Sequence, residues 1–320
     1  MANILDQIRD SCEFVADNSR WVSLNMDRVM MYPEILLRSA KFDLQHSKEH
    51  HYLGKGDDTL RFFIILDTIN FGSGYFPYLN KEKDVSGYYT VAKRLTDYVS
   101  KNGIPTADFF IDISPMQCAN IFNQQIDSKH MFELMSLFAV ALSDLGRWLC
   151  EYYDGDYLGV LYKKSSVEDY LNHIMLMPSY QDKSKYFGRD IWFLKRAQIL
   201  IQDMSIAEPK HKLLQFSDIN KLTIFADNVI PFVFRVDQLL TFDPWLEARV
   251  ENEELIGSGS PEEVEIRACA VHLGEIIAKI IREEFRPISA REIDYLLWMR
   301  GQELKKITTL KRHRTRCMYY

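Results

Sequence analysis

Apolar side chains recur at helical spacing along much of the chain. Ile4, Ile8, Cys12 and Val15 follow the candidate cap Asn3 and predict a first helix. Similar patterns, several with a cap residue or a proline at the expected end, predict helices over residues 27–41, 88–99, 131–152, 166–177, 192–203 and 260–285. We therefore predict a mainly α, compact helical fold, with room for a few short strands.

A helix-hairpin-helix is predicted over about residues 217–242. Ser217 is a candidate cap for its first helix, whose apolar positions share one face: Ile219, Leu222 and Ala226. This helix should end near Asp227, because Pro231 cannot continue it and favours an extended backbone in the residue before it. Pro231 instead suits the first position of a second helix, which places Asp227 in the hairpin.

The position of Asp227 supports two interpretations. In the hairpin, the positive end of the second helix would favour a charged carboxylate. Such a group suits a reaction that develops positive charge, for example the departure of a base from a ribosyl carbon. The alternative is that Asp227 only caps a helix, which is a common role of aspartate.

A polar loop with aromatic neighbours follows the apolar residues 60–66. It contains Asn70 beside Phe71, Tyr75 and Phe76. An amide that can pair with a base edge, next to rings that can stack, is a usual way to hold a nucleobase. The alternative is a turn over an aromatic core.

Cationic side chains accompany a carboxylate in residues 192–203. In a helix, Lys195 lies on one face, and Arg196 and Asp203 lie together on the neighbouring face. This arrangement indicates either a buried ion-pair network or part of a site for an anionic ligand. A polar group that faces the interior is also indicated by Arg267, which borders the apolar stripe of the helix over residues 260–285.

Metal and disulfide chemistry are not indicated. His46 and His50 have the spacing of ligands on one helix face, but no carboxylate completes a metal motif. We predict a solvated loop there, or one histidine that lines a pocket. The five cysteines are scattered without a Cys-x-x-Cys pair, so we expect neither a zinc site nor a disulfide framework, and the thiols reduced.

Charge and length limit the class of protein. The net charge is −6 and the pI is near 5.8, which disfavours a nucleic-acid backbone as the main partner and favours a small substrate. The sequence shows neither a signal peptide nor a membrane span, so we expect a cytoplasmic protein without a membrane partner. No linker divides the chain, and we predict one two-lobed domain over residues 1–320, acting as a monomer.

The last predicted feature is a basic cluster that precedes an apolar, aromatic end. Lys305, Lys306, Lys311, Arg312, Arg314 and Arg316 form the cluster. A free basic tail would not need the apolar residues Cys317–Tyr320. We therefore predict that these residues fold back and pack, and direct some of the cations toward a pocket.

Several segments, taken together and in order from about Ile8 to Tyr320, resemble the queuosine salvage proteins, the queuosine 5′-phosphate N-glycosidases. The segments are Asp67-Thr-Ile-Asn-Phe-Gly-Ser-Gly-Tyr-Phe-Pro, Ser86-Gly-Tyr-Tyr, Lys195-Arg-Ala-Gln-Ile, Leu222-Thr-Ile-Phe-Ala-Asp-Asn, Glu263-Val-Glu-Ile-Arg-Ala-Cys, Asp294-Tyr-Leu-Leu-Trp and His313-Arg-Thr-Arg-Cys-Met-Tyr-Tyr. The resemblance implies a helical fold similar to helix-hairpin-helix DNA glycosylases. It also implies release of queuine and ribose 5-phosphate from queuosine 5′-phosphate, without a metal or an organic cofactor.

The resemblance implies roles for particular residues. The similar DNA glycosylases carry their active-site aspartate in this hairpin, so Asp227 is assigned to the ribosyl carbon. Asp203 is the second catalytic candidate, either exchanging roles with Asp227 or accepting hydrogen bonds from the guanine-like edge of the base. Asn70 and Phe71 would hold and stack the base, and His51 would close the pocket.

The 5′-phosphate requires cations. The candidates are Lys195, Arg196, Arg235 and Arg314. The arginines are especially suited, because a guanidinium can make a bidentate contact with phosphate. Asp237 is a further binding candidate, or alternatively a partner for Arg235. Two rival functions remain open: a nucleic-acid glycosylase or binding protein, supported by the hairpin and the basic terminus, and a helical interaction scaffold without catalysis.

Overall fold

The described part of the chain, residues 3–39 and 43–320 of a computed structural model, is mainly helical, which confirms the predicted fold class. Its α-helices are α1 Ile4–Asp17, α2 Met26–Ser39, α3 Asp57–Thr68, α4 Gly87–Asn102, α5 Ala107–Ile111, α6 Pro115–Ile121, α7 Lys129–Tyr153, α8 Val167–Ile174, α9 Lys195–Ala207, α10 Val229–Val236, α11 Pro244–Glu251, α12 Pro261–Glu284 and α13 Ala290–Ile307. Short 3₁₀ helices cover Phe76–Tyr78, Tyr157–Leu161, Pro178–Tyr180, Lys212–Leu214 and Ile219–Lys221.

Four short strands form two antiparallel pairs in this part of the chain. The strands are β1 Val22–Leu24, β2 Lys183–Tyr186, β3 Arg189–Trp192 and β4 Leu240–Phe242. Strand β1 pairs with β4, and β2 pairs with β3. The turn between β2 and β3 has positive φ angles at Phe187 (44°) and Gly188 (80°), the signs that a type I′ hairpin turn requires.

Helix caps lie where the sequence predicts them. The Asn3 side chain accepts a hydrogen bond from the first turn of α1, and Ser166 and Ser260 do the same for α8 and α12. The predicted boxes are shifted by one residue, because Asp169 and Glu263 each accept from the N–H of the residue before the cap. The caps still satisfy N–H groups that a helix cannot pair internally.

The start of one predicted helix lies three residues later in the structure. The helix predicted from Trp192 begins at Lys195 instead, because Trp192 lies in β3 and Leu194 has a φ of 51°, which a right-handed helix does not admit. The helix predicted over residues 27–41 is α2, and its predicted end lies outside the described residues.

The prediction of a first helix in the helix-hairpin-helix is wrong. The residues before Asp227 form one 3₁₀ turn, Ile219–Lys221, followed by non-helical backbone over residues 222–228. Side chains from elsewhere bond this backbone: Phe225 N–H donates to Asp294 and the Ala226 carbonyl accepts from Arg267. The second helix is α10, with Pro231 third in it rather than first.

The chain divides into two units. The first comprises Met1–Leu44, Asp182–Lys195 and Asp218–Arg316. Its core is built around α12, which packs against α1, α2, α10 and α13. The Glu265 side chain of α12 is fully buried and accepts hydrogen bonds from the backbone N–H groups of residues 20, 21 and 22 and from the Tyr186 hydroxyl. These bonds fix the chain entering β1.

The second unit comprises Gln45–Gln181, Arg196–Ser217 and Cys317–Tyr320. Helix α7 packs against α3, α5 and α6. Cys317 and Tyr320 are buried, and the Tyr320 carbonyl accepts a hydrogen bond of 3.0 Å from Gly72 N–H. The predicted packing of Cys317–Tyr320 is therefore confirmed. No helix in the described residues is long and apolar enough to cross a bilayer.

Candidate functional site

In the first unit, Asp227 lies two residues before the first residue of α10, next to the N-cap residue Asn228. Its Oδ1 atom accepts hydrogen bonds from the N–H groups of Val229 (2.6 Å) and Ile230 (3.2 Å). These are among the N–H groups that a helix leaves without an internal partner. Within residues 3–39 and 43–320, Oδ2 of the half-buried Asp227 accepts no hydrogen bond. The side chain therefore caps α10 through Oδ1 and leaves Oδ2 available to a ligand. A capping role and a catalytic role for Asp227 are thus compatible.

A buried ion pair holds the backbone that leads to Asp227. Arg267 and Asp182 are 1% and 3% exposed and make a bidentate contact of 2.9 and 2.7 Å. The Arg267 Nε–H also donates to the Ala226 carbonyl over 3.1 Å. Asp182 Oδ2 in turn accepts from the Lys195 backbone N–H at 3.1 Å. One pair thus connects the start of α9 with the residue before Asp227.

Cationic and neutral groups also surround this segment. Burial lowers the pKa of Arg312, while the nearby Asp227 carboxylate acts in the opposite direction. Asn228 donates to the carbonyl of His313 over 3.4 Å. Burial, with Arg267 and Arg235 nearby, lowers the pKa of His313 to about 3, so its ring is neutral near pH 7. Arg312 is therefore a cation close to Asp227.

Arg235 and Asp237 do not pair with each other, which corrects the alternative prediction for Asp237. Arg235 is buried and contacts Glu251 and Glu247. Asp237 makes a bidentate contact of 2.6 and 2.7 Å with Arg300. It also accepts from the Tyr32 hydroxyl at 2.7 Å. The short sequence distance suggested a pair, but their partners lie on other helices.

The remaining site candidates of the first unit are Lys195 and Arg314. Lys195 is 4% exposed and begins α9. Arg314 is half-buried, and its carbonyl accepts from Ile256 N–H at 2.8 Å. Both cations therefore lie in segments whose backbone is held in place, Lys195 by the helix that it begins and Arg314 by its bond to Ile256.

In the second unit, the loop after α3 is tied to a buried carboxylate. Asp67 is 0% exposed, and its Oδ1 accepts from the Asn70 side-chain amide at 2.9 Å. Phe71 is buried and meets Phe138 edge to face, with ring centroids 5.2 Å apart. The Arg196 guanidinium lies 5.0 Å from the Phe71 centroid. These contacts agree with the alternative prediction of a turn over an aromatic core.

Arg196 binds backbone in this unit. It is 2% exposed and donates to the carbonyl oxygens of Thr68 and Ser179. It also lies over the Tyr180 ring, 4.6 Å from the centroid. Arg196 therefore joins the end of α3 to the segment around Pro178–Tyr180, which is a positioning role.

His51 is buried beside two other polar groups. Its Nδ1 lies 3.0 Å from the Ser47 carbonyl and must donate, so Nε2 accepts from the Tyr88 hydroxyl at 3.0 Å. Burial lowers the pKa of His51 to about 3, and nearby His46 acts in the same direction. Burial raises the pKa of Tyr88, and Asp203 and then Asp67 contribute to the rise.

Asp203 lies on α9 and is half-buried. Its carbonyl accepts a hydrogen bond from His46 Nε2 at 2.9 Å. Since Asp203 and Asp67 both act on Tyr88, the second unit brings together His51, Asn70, Asp203 and Tyr88. No cluster of three His, Cys, Asp or Glu side chains able to hold a metal occurs in the described ranges.

Sequence reasoning missed several of these groups. Asp182 carries no local signal, because its partner Arg267 is 85 residues away. Tyr88 and Asp294 lie in segments quoted for the resemblance, but no role was inferred for them. Arg312 was noted only as one of many basic residues near the end of the chain.

The fold and these sites describe a mainly helical protein with acidic groups at two candidate sites. The family model described as "Queuosine salvage protein" matches residues 50–320. The chain belongs to the queuosine salvage protein family.

Three curated relatives carry the same name, "Queuosine 5′-phosphate N-glycosylase/hydrolase". The protein of Mus musculus is 29% identical over 98% of this chain and 98% of its own length. That of Sphaerobacter thermophilus is 28% identical over 96% and 95%, and that of Dictyostelium discoideum is 28% identical over 99% and 100%. The similarity therefore extends over nearly the whole of each protein.

Proposed function

We propose that the chain hydrolyses the N-glycosidic bond of queuosine 5′-phosphate and releases queuine and ribose 5-phosphate. The observation that carries the proposal is the nearly full-length similarity to curated relatives that share one name, from a mouse, a bacterium and Dictyostelium. The reaction serves salvage of queuine, a base used in tRNA modification. This function, rather than nucleic-acid binding or a scaffold without catalysis, is the one that these relatives support.

The chemistry of the base explains the need for a carboxylate. Queuine is a 7-deazaguanine, so its ring has carbon at the position where guanine offers N7 for protonation. Help for the leaving group must come from hydrogen bonds to other ring positions, while the enzyme stabilises the cationic sugar. A carboxylate next to the ribosyl carbon provides that stabilisation.

We assign this role to Asp227. Its Oδ1 is held by two N–H groups of α10, which fixes the direction of the carboxylate. Its Oδ2 would face the ribosyl carbon. We extend the likeness to DNA glycosylases only to α10 and the residues directly before it. The first helix of the predicted hairpin is replaced by a 3₁₀ turn.

Asp203 and the second-unit groups are proposed for the base. Asp203 would accept from the guanine-like N1–H and amino group, or exchange roles with Asp227. Asn70 would pair with the base, and Phe71 would provide an apolar wall. His51 accepts the Tyr88 hydroxyl and is proposed to close the pocket as a neutral ring.

For the 5′-phosphate we propose Lys195 and Arg314. Arg196 and Arg235 are less suited, because Arg196 donates to two carbonyl groups and Arg235 contacts two glutamates. We further propose a single domain over residues 1–320, a monomeric state and a cytoplasmic location, with no cofactor.

The test compares three compounds: queuosine 5′-phosphate, queuosine and guanosine 5′-phosphate. Released base is detected by mass spectrometry. We expect release from the first compound to be preferred. Asp227→Asn keeps an oxygen that can accept the two N–H groups of α10 but removes the charge. We therefore expect a stable variant whose kcat is lower by roughly a hundredfold or more.

The two proposals can fail separately. If the wild-type protein releases no base from queuosine 5′-phosphate, the proposed function is wrong. If the wild-type protein is active and folded Asp227→Asn retains its turnover, only the role of Asp227 is wrong.

A further inference from the structure

The segment that carries Asp227 has no regular secondary structure to fix it. Residues 222–228 lie between a 3₁₀ turn and α10. Two buried side chains hold its backbone: Asp294 accepts from Phe225 N–H at 2.8 Å, and Arg267 donates to the Ala226 carbonyl at 3.1 Å. The position of Asp227 thus depends on side chains outside the segment.

The guanidinium group of Arg267 is held in a fixed orientation. Both terminal nitrogens bond the Asp182 carboxylate, at 2.9 and 2.7 Å, and Glu263 lies 3.6 Å from Nη1. The guanidinium lies 3.9 Å from the centroid of the Phe193 ring. The guanidinium plane is thus held at its two terminal nitrogens by Asp182 and covered on one face by Phe193. Its Nε–H therefore points in one direction, toward the Ala226 carbonyl.

A gain in stability does not by itself explain the buried Arg267–Asp182 ion pair. A buried salt bridge is commonly no more stabilising than apolar residues of similar volume, because both charges lose their hydration. What an apolar pair cannot supply is a directed donor for the carbonyl before Asp227. That donor is the specific contribution of Arg267.

We propose that Arg267, oriented by Asp182, is a positioning residue that sets the direction of the Asp227 carboxylate. This inference rests on the role proposed above for Asp227. We assign Arg267 no contact with the reacting atoms. It acts through the Ala226 carbonyl, while the α10 N–H groups hold the other side of the carboxylate.

The test uses Arg267→Lys, which keeps the charge but loses the fork and the directed Nε–H. We expect kcat for queuosine 5′-phosphate to fall by roughly ten- to a hundredfold, as is typical when a catalytic group is displaced by a fraction of an ångström to one ångström. We expect KM to change by less than about threefold, since no proposed binding group is removed. Asp182→Asn, which keeps the shape of the side chain, should shift kcat in the same direction.

The chain offers a matched control in Arg9. Arg9 contacts the Glu275 carboxylate at 3.3 Å and donates to the Lys221 carbonyl. It therefore also joins a carboxylate to a backbone carbonyl, but on the 3₁₀ turn that precedes the segment, six residues before Asp227. Arg9→Lys should retain the wild-type kcat at a temperature where circular dichroism shows all variants folded.

The outcomes are distinguishable. A fall in kcat in every folded variant of the Arg267–Asp182 pair, without a fall in Arg9→Lys, supports the inference. Wild-type kcat in a folded variant of the pair overturns it, as do equal falls in all three variants. If both pair variants unfold while Arg9→Lys folds, the pair serves folding only and the inference is abandoned. An inactive wild-type protein contradicts the proposed function instead.

Discussion

The Tyr88 hydroxyl donates a hydrogen bond of 3.0 Å to Nε2 of His51. The direction is fixed because Nδ1 of the same ring donates to the Ser47 carbonyl. His51 is 4% exposed, so the ring is held neutral, in one tautomer, by partners on both nitrogens. Tyr88 therefore holds the orientation of His51 together with the Ser47 carbonyl.

Replacing Tyr88 with phenylalanine should therefore destabilise the protein. The substitution removes the donor and leaves a buried acceptor without its partner, which typically costs about 1–3 kcal/mol. Urea unfolding followed by circular dichroism measures the change. Tyr52→Phe is the control, because the Tyr52 hydroxyl has no hydrogen bond within the described residues, although its ring packs against Phe62. Equal stability of Tyr88→Phe and the wild type would contradict the inferred direction of the bond.

Stability should fall as the pH is lowered below the ordinary histidine value. Burial lowers the pKa of His51 and of His313 from 6.5 to about 3 in the folded protein. The unfolded chain therefore binds more protons between these values, so stability is fully present above about pH 6.5 and is lost as the pH falls toward about 3. At about pH 5, each ring should account for a loss of at most about 2 kcal/mol.

Unfolding free energies at about pH 7 and about pH 5 measure this dependence. His51→Gln and His313→Gln should each show a smaller difference between the two pH values than the wild type. If both variants retain the full wild-type difference, other groups cause the acid sensitivity and these rings are protonated in the folded state.

Local signals in the sequence were sufficient for much of the fold. Helices α1, α8 and α12 begin where Asn3, Ser166 and Ser260 predicted, because a cap acts within three residues of itself. The packing of Cys317–Tyr320 was predicted from its apolar character alone. Such features need no knowledge of distant residues.

The segment before Asp227 could not be predicted in this way. Its helical spacing is real, but its backbone partners Asp294 and Arg267 are 69 and 41 residues away in the chain. The same limit applies to Asp237, whose partner Arg300 is 63 residues away. The candidate site depends on these distant contacts more than the helices do, so sequence reasoning could propose Asp227 but not the side chains that hold the segment before it.

Gly274 of α12 permits close packing of the segment that leads to Asp227. A Cβ atom at this position would lie 2.0 Å from Cγ1 of Ile224. Gly274→Ala must therefore displace Ile224 or the helix, and overpacking of this kind typically costs about 1–3 kcal/mol. We expect lower stability in urea unfolding and a lower kcat, because Ile224 lies three residues before Asp227.

The control for this substitution is Gly257→Ala. A Cβ atom at Gly257 would have Ser260 as its nearest neighbour, at 3.7 Å, which is an ordinary contact. Its stability should remain within about 0.5 kcal/mol of the wild type. Wild-type stability and turnover in Gly274→Ala would show that the segment tolerates displacement.

The final prediction separates phosphate binding from positioning at Arg196. If Arg196 bound the 5′-phosphate, its loss would weaken the use of queuosine 5′-phosphate far more than the use of queuosine. Its bonds to the Thr68 and Ser179 carbonyl groups indicate a different outcome. We expect Arg196→Lys to lower kcat/KM for both compounds by a similar factor, together with stability, because it loosens the segment before Asn70.

By contrast, Lys195→Met should reduce kcat/KM for the phosphorylated compound selectively, by roughly tenfold or more, since charge-assisted bonds to phosphate are among the stronger polar contacts. Steady-state kinetics with both compounds provide the ratio for each variant. A selective loss in Arg196→Lys and an equal loss in Lys195→Met would reverse the two assignments.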